Sequence, residues 1–128
     1  MTISYRIDRE RSTLYTTCSG FVTLEQVLEH FDVLERDPER TERMDVLLDL
    51  TEITSLPNRN KLRSVAERIA ELRNLSFGAC AIVTVSETLF GMMRMFEVFS
   101  EKSFANTQVF QDLASAEVWL LSRRSKES

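Results

Sequence analysis

A nucleophile, a base to activate it and a group to orient the base usually require histidine, and this sequence holds one, His30. His30 falls at the edge of an apolar helical stripe, where a half-buried packing role is the expectation. The other nucleophiles of note are Cys18 and Cys80, which lie far apart without paired spacing and read as buried, reduced thiols. A Cys18–His30 dyad would need a proximity that sequence does not disclose. Zinc would need about four Cys, His or carboxylate ligands at compatible spacing, and none is visible. Neither G-x-G-x-x-G nor G-x-x-x-x-G-K-[ST] occurs, and a glycine count of 3 leaves little material for a phosphate cradle. The expectation is a protein without catalytic residues, metal or cofactor.

Charged candidates come next. Asp49 falls near the C-terminal end of a central strand with Glu52 just beyond, and in open α/β sheets ligands gather at that edge. Asp45 shares a strand face with Asp49, but at on the order of 13 Å the two carboxylates are too far apart to couple. The plainer reading of Asp49 is a hydrogen bond to loop amides. Arg59, Lys61 and Arg63 crowd the start of a helix. Cations there oppose the helix dipole, so they stand either for a solvated face or, with Asp49, for a place where an anion or an acidic partner docks.

The segment from Leu89 to Phe99 carries Leu89, Met92, Met93, Met95, Phe96 and Phe99 on one broad helical face. Phe90 and Val98 fall on the other side, beside Arg94 and Glu97. Methionine suits irregular or changing contacts. The stripe reads as core, and the outer pair as a second contact. Phe90, Met93, Arg94 and Val98 are thus the candidate surface for a homodimer seam or for an apolar ligand held between helices. Scattered exposed apolar side chains are the bland alternative.

These residues need elements to position them. Ile3, Tyr5 and Ile7 alternate with polar residues as a strand does, and after a charged turn a second strand over 13–19 completes a hairpin that Gly20 ends. Thr23-Leu24-Glu25-Gln26 has the form of a capping box opening a helix that Asp37-Pro38 stops. A strand over 45–50, a loop over 51–57 and a helix over 58–74 follow. Then come a strand over 79–85, a helix over 87–102 capped by Ser86, a strand over 107–111 and a helix capped by Asp112. The order ββαβαβαβα predicts an α/β fold with a mixed, mostly parallel five-stranded sheet. Right-handed crossovers between neighbouring strands put the helices mainly on one face.

Length and composition fit one such domain. The chain has 128 residues with 43% hydrophobic and 28% charged, which excludes disordered and fibrous classes. Residues 1–121 are read as the domain and 122–128 as a polar, fraying tail. The longest apolar stretch, 89–99, is broken by Gly91, Arg94 and Glu97 and falls short of the roughly 20 residues a bilayer needs. No signal-peptide run opens the chain, so a cytoplasmic location is expected. A net charge of −4 argues against nucleic acid as a partner.

Four stretches in the expected order carry a resemblance: Ser19 to Glu25, Val46 to Ile53, Phe90 to Glu97, and Val109 to Ala116. In these the chain resembles the SpoIIAA-like, or STAS-like, bacterial proteins, which are related to the anti-sigma-factor antagonists and more distantly to lipid-binding CRAL-TRIO domains. The resemblance implies a SpoIIAA-like (STAS) fold and a non-catalytic role in regulation or protein–protein interaction, as a homodimer. The CRAL-TRIO similarity implies the alternative of a small carrier or sensor for an apolar, lipid or acyl, ligand. The antagonists carry a phosphorylatable serine at the start of the helix after the Asp-Leu strand. The equivalent stretch here, Leu56-Pro57-Asn58-Arg59-Asn60, has none, and Ser55 and Ser64 flank it without occupying the motif position. The two roles differ in one structural feature: whether the Met/Phe-rich helix closes tightly on the core or leaves a cavity.

Overall fold

The computed structural model describes residues 3–55, 58–72 and 75–127, with side chains described at all of these except 59 and 124–127. The chain order is β1 (Ile3–Asp8), β2 (Thr13–Phe21), α1 (Leu24–Glu35), β3 (Arg43–Ser55), α2 (Arg59–Ala70), β4 (Ser76–Val83), α3 (Glu87–Phe99), β5 (Asn106–Phe110) and α4 (Leu113–Glu127). The sheet runs β1-β2-β3-β4-β5, with β1 antiparallel to β2 and every later pairing parallel. This is the expected mixed α/β sheet.

Local chemistry sets most of the element ends. In the hairpin turn the Arg11 N–H donates to Asp8 Oδ1 at 3.2 Å, and Ser12 takes a left-handed φ of 47°. The capping box forms as the sequence predicts: the Gln26 N–H donates to Thr23 Oγ1 at 3.2 Å and the Thr23 N–H to Gln26 Oε1 at 2.9 Å. Asn58, Ser86 and Asp112 open the later helices by accepting the amides of Lys61, Leu89 and Ser115.

Two strands outrun the expectation. β2 does not stop at Gly20; that residue takes a φ of 67° beside a register irregularity and lets pairing continue to Phe21. Its added length gives β3 a partner, so Ser19, Gly20 and Phe21 pair with Glu52, Ile53 and Ser55 where a loop over 51–57 was expected. Residues 56 and 57 of that loop lie outside the described residues. Helix α2 ends at Ala70, short of the expected Asn74, which also lies outside them. Helix α4 carries residues 122–127, read above as a polar tail.

Helices α1, α2 and α3 cover one face of the sheet, over a core that includes Leu14, Leu34, Met44, Val46, Leu62, Val65, Ile69, Ile82 and Phe96. Full burial of one such aliphatic side chain stabilises the fold by about 2 kcal/mol. Helix α4 packs on the opposite face, where Ala116 and Leu120 meet Leu47, Ala79, Ala81 and Val83. The handedness rule constrains only helices that connect two parallel strands. α4 follows the last strand and is free to take the other side, and two alanines of β4 let it approach closely.

β4 also carries a register shift opposite Met44 and Val46, which lets both Phe77 and Cys80 point to the three-helix face. Gly78 sits within this irregularity, and a Cβ there would lie 2.4 Å from Asp45 Oδ1. The same oxygen accepts the Ala79 N–H at 2.9 Å.

Candidate functional site

The three-helix layer does not close tightly on the sheet. A cavity of about 100 Å³ lies between them. Strand β2 supplies Leu14, Thr16 and Cys18, which share a face because they are two residues apart. Strands β3 and β4 add Val46, Leu50, Phe77 and Cys80. The roof is Val27, His30 and Phe31 from α1, Leu62, Val65 and Ile69 from α2, and Met93 and Phe96 from α3. Two contacts hold the roof helices to one another. Arg68 of α2 donates to Asp32 Oδ1 at 2.8 Å and Glu35 Oε1 at 2.6 Å on α1, and the Arg63 guanidinium lies 4.9 Å above the Phe99 ring of α3.

Four lining residues carry polar or titratable groups. Thr16 is 4% exposed, and its hydroxyl has no hydrogen-bond partner. Burial pushes the Cys18 thiol up to about 11, with the Asp49 carboxylate adding to the shift. Burial, then the carboxylates of Glu97 and Asp45, push the Cys80 thiol up further. Both thiols are therefore protonated and poorly nucleophilic at neutral pH. Cys80 sits abreast of Val46, itself abreast of Leu14, while Cys18 is four residues along β2. That spacing separates the two cysteines by roughly 16 Å, beyond any disulfide. Burial lowers the His30 imidazole to about 4, so the ring is neutral near pH 7. Its ring centroid lies 5.3 Å from Tyr5 and 5.4 Å from Phe31. The Tyr5 hydroxyl donates to Asp37 Oδ2 at 2.5 Å, and burial together with that bond raises it to about 12.

Outside the cavity, between β1 and α1, an open groove of about 450 Å³ is bounded by Ser4, Tyr5, Gln26, Glu29 and Val33. Ile3 and His30 line both spaces and form the partition between them.

The residues singled out from sequence fare unequally. Met93 is 2% exposed and faces the cavity, so it belongs to no outward seam. Phe90 is half-buried and packs against the core, which corrects its expected outward position. The outward stripe of α3 is instead Glu87, Gly91, Arg94 and Val98, with Arg94 Nε 3.8 Å from Glu97 Oε1 and Val98 65% exposed. More apolar surface is exposed on α4, at Ala114, Val118 and Leu121, than the sequence suggested. Asp49 Oδ1 accepts both the N–H and the hydroxyl of Thr51, at 2.9 and 2.7 Å, which is its plainer reading. Lys61 and Arg63 are exposed, and the side chain of Arg59 lies outside the described residues. The Ser64 hydroxyl donates to the Asn60 carbonyl at 3.4 Å. Among the described residues, no His, Cys, Asp and Glu cluster is suited to hold a metal, and no helix is long and apolar enough to cross a membrane. Sequence reasoning missed Thr16. The available signal was a hydroxyl at an inward position between Leu14 and Cys18.

No protein-family model matches the chain, and no curated protein matches it. Among solved structures, it is similar to an uncharacterised protein of the DUF3478 family from Shewanella loihica PV-4, described as having a SpoIIAA-like fold. The two are 20% identical, superpose with a TM-score of 0.62, and are covered over 92% of this chain and 93% of that one. The chain thus has a SpoIIAA-like α/β fold, as its sequence resemblance implies.

Proposed function

We propose that this STAS-like domain is a non-catalytic sensor or carrier that takes a small apolar molecule between its sheet and helices α1 to α3. The observation that carries this reading is the cavity lined by Leu14, Val46, Leu62, Val65, Met93 and Phe96. Protein interiors are ordinarily close-packed, and apolar cavities of this order stay dry and accept apolar guests. The high thiol pKa values and the low imidazole pKa favour binding over chemistry at this place. Volume limits the guest: an engineered cavity of about 150 Å³ takes benzene, so about 100 Å³ suits a short-chain or single-ring molecule rather than a long acyl chain.

The test is methyl NMR under xenon or cyclopentane. Shifts are expected at Val46, Leu62 and Val65 and not at Val83 and Leu120 on the α4 face. Uniform shifts, or none, would discard the reading.

A second reading is the homodimer. The exposed apolar stripe of Ala114, Val118 and Leu121 supports it, with α4 rather than α3 as the seam. Sedimentation as a monomer at high concentration would remove it. Anion or acidic-partner binding by Arg59, Lys61 and Arg63 with Asp49 stands as a separate proposal. Phosphate titration of an Arg59/Lys61/Arg63 triple alanine variant tests it, and unchanged binding would end it.

A further inference from the structure

We infer that β1 and α1 together form a self-pairing surface, through which a second copy of this chain lays its own β1 antiparallel to the first and joins two five-stranded sheets into one. The inference is independent of the apolar-ligand reading and names a different seam from α4.

The sheet has two edges, β1 and β5, and an edge is a template for another strand unless something blocks it. The β5 edge is blocked. The Phe110 carbonyl accepts from the Thr84 N–H at 3.0 Å, so Phe110 points its backbone groups towards the β4 side and Val109 points its own outward. There the Val109 N–H donates to the Glu97 carboxylate of α3. The β1 edge is open: among the described residues, no group outside β2 bonds to the β1 backbone. Beside it lies the groove of about 450 Å³, which reaches Val33, itself 42% exposed.

The patterns of strand and helix together select the occupant. Ile3, Tyr5 and Ile7 share the three-helix face of β1, and Ser4, Arg6 and Asp8 the other. Antiparallel self-pairing centred on Tyr5 sets Ile3 opposite Ile7 and Ser4 opposite Arg6 of the other copy. Centred on Arg6 it would oppose two guanidinium groups, and centred on Ile7 it would leave only residues 6–8 paired within the strand. Tyr5 also fixes the level on α1. Its ring lies against His30 and its hydroxyl reaches Asp37, so a twofold axis through Tyr5 passes near Val33. That axis brings Val33 of one copy to Val33 of the other, and Glu29, four residues before, to Arg36, three residues after. Glu29 and Arg36 are exposed, and neither has an ion-pair partner among the described residues. Strand, apolar side chain and charge are thus self-complementary about one axis, and with the β5 edges blocked the assembly stops at two copies.

The experiment is sedimentation velocity of the full chain over a micromolar concentration series, with amide hydrogen exchange of β1 at the same concentrations. A dimer is expected, with β1 amides that exchange more slowly as concentration rises. Val33→Arg, Glu29→Lys and Arg36→Glu, all on the exposed side of α1, are each expected to weaken the dimer by about tenfold at an unchanged urea midpoint. The double variant Glu29→Lys/Arg36→Glu is expected to return close to wild type. A monomer at every concentration overturns this inference, and the α4 seam with it. A dimer that Val118→Lys dissolves and the α1 variants leave unchanged overturns this inference alone and leaves the α4 reading standing. A double variant as weak as the single ones overturns the axis. Should Val33→Arg not fold, the charge swap carries the same comparison.

Discussion

Replacing Thr16 by valine should stabilise the unliganded protein. The two side chains have nearly the same shape and are both β-branched, so strand propensity and rotamer freedom barely change. What changes is one hydroxyl, buried at 4% exposure without a hydrogen-bond partner. Such a group costs about 1–3 kcal/mol of desolvation. The oxygen is closed off even from the cavity, so no water reaches it to recover that cost, although small shifts of its neighbours recover some. The expected gain is therefore about 1–2 kcal/mol. With a urea m-value of about 1.5 kcal/mol/M, the midpoint should rise by roughly 1 M at unchanged m. Thr16→Ser should move the other way by about 1 kcal/mol, because it keeps the open hydroxyl and deletes a buried methyl. A fall in the midpoint on Thr16→Val would mean that the hydroxyl is satisfied in the fold. It would then be a satisfied structural group of β2.

Three further outcomes follow from the same packing. Gly78→Ala places a Cβ 2.4 Å from the Asp45 carboxylate, in a buried stretch of β4, and should cost about 2 kcal/mol or more in urea denaturation; a neutral effect would show that the register shift relaxes freely. The His30 imidazole is lowered to about 4 from an ordinary 6.5, so the unfolded chain binds the extra proton first. The resulting stability is present above about pH 6.5 and is lost as pH falls towards 4, to a maximum of about 3 kcal/mol, and His30→Phe should flatten that part of the pH profile. Cys18 and Cys80 should resist a bulky thiol reagent at pH 8 until urea opens the core, and rapid labelling of Cys18 in the native protein would contradict its buried, protonated state.

Much of the scaffold is legible from local chemistry because each signal is short-range. The capping box at Thr23 and Gln26 needs four residues, and the Ser86 and Asp112 caps need as few. The length of β3 is a different matter. Thr51, Ile53 and Ser55 are half-buried while Glu52 and Thr54 are exposed, so the alternation was present, but polar residues hid it. Only the continuation of β2 through Gly20 gives those residues a partner, and that depends on a left-handed backbone conformation at one glycine. Phe90 was misplaced for a related reason. A helical wheel orders residues around one axis, yet α3 touches both α2 and strand β5 of the sheet, and its buried arc is wide enough to take in Phe90.

The candidate site lies at the limit of what a one-dimensional pattern carries. Thr16 sits where an alternating strand must face inward, and from sequence a threonine there passes as ordinary β-branched filler. How closely the helical layer approaches that position depends on residues far away in the chain. Arg68 reaches Asp32 and Glu35 across 36 and 33 positions, and Arg63 reaches Phe99. Those contacts hold the roof while the small side chains Thr16, Cys18 and Cys80 leave space beneath it. Ala79 and Ala81 provide the contrast: on the opposite face of β4 their small size is answered by the close approach of α4. Small residues on one face of the sheet thus meet a helix, while on the other face the protonated thiols of Cys18 and Cys80 border a gap. That difference supports the proposal that an apolar guest is taken on the three-helix face.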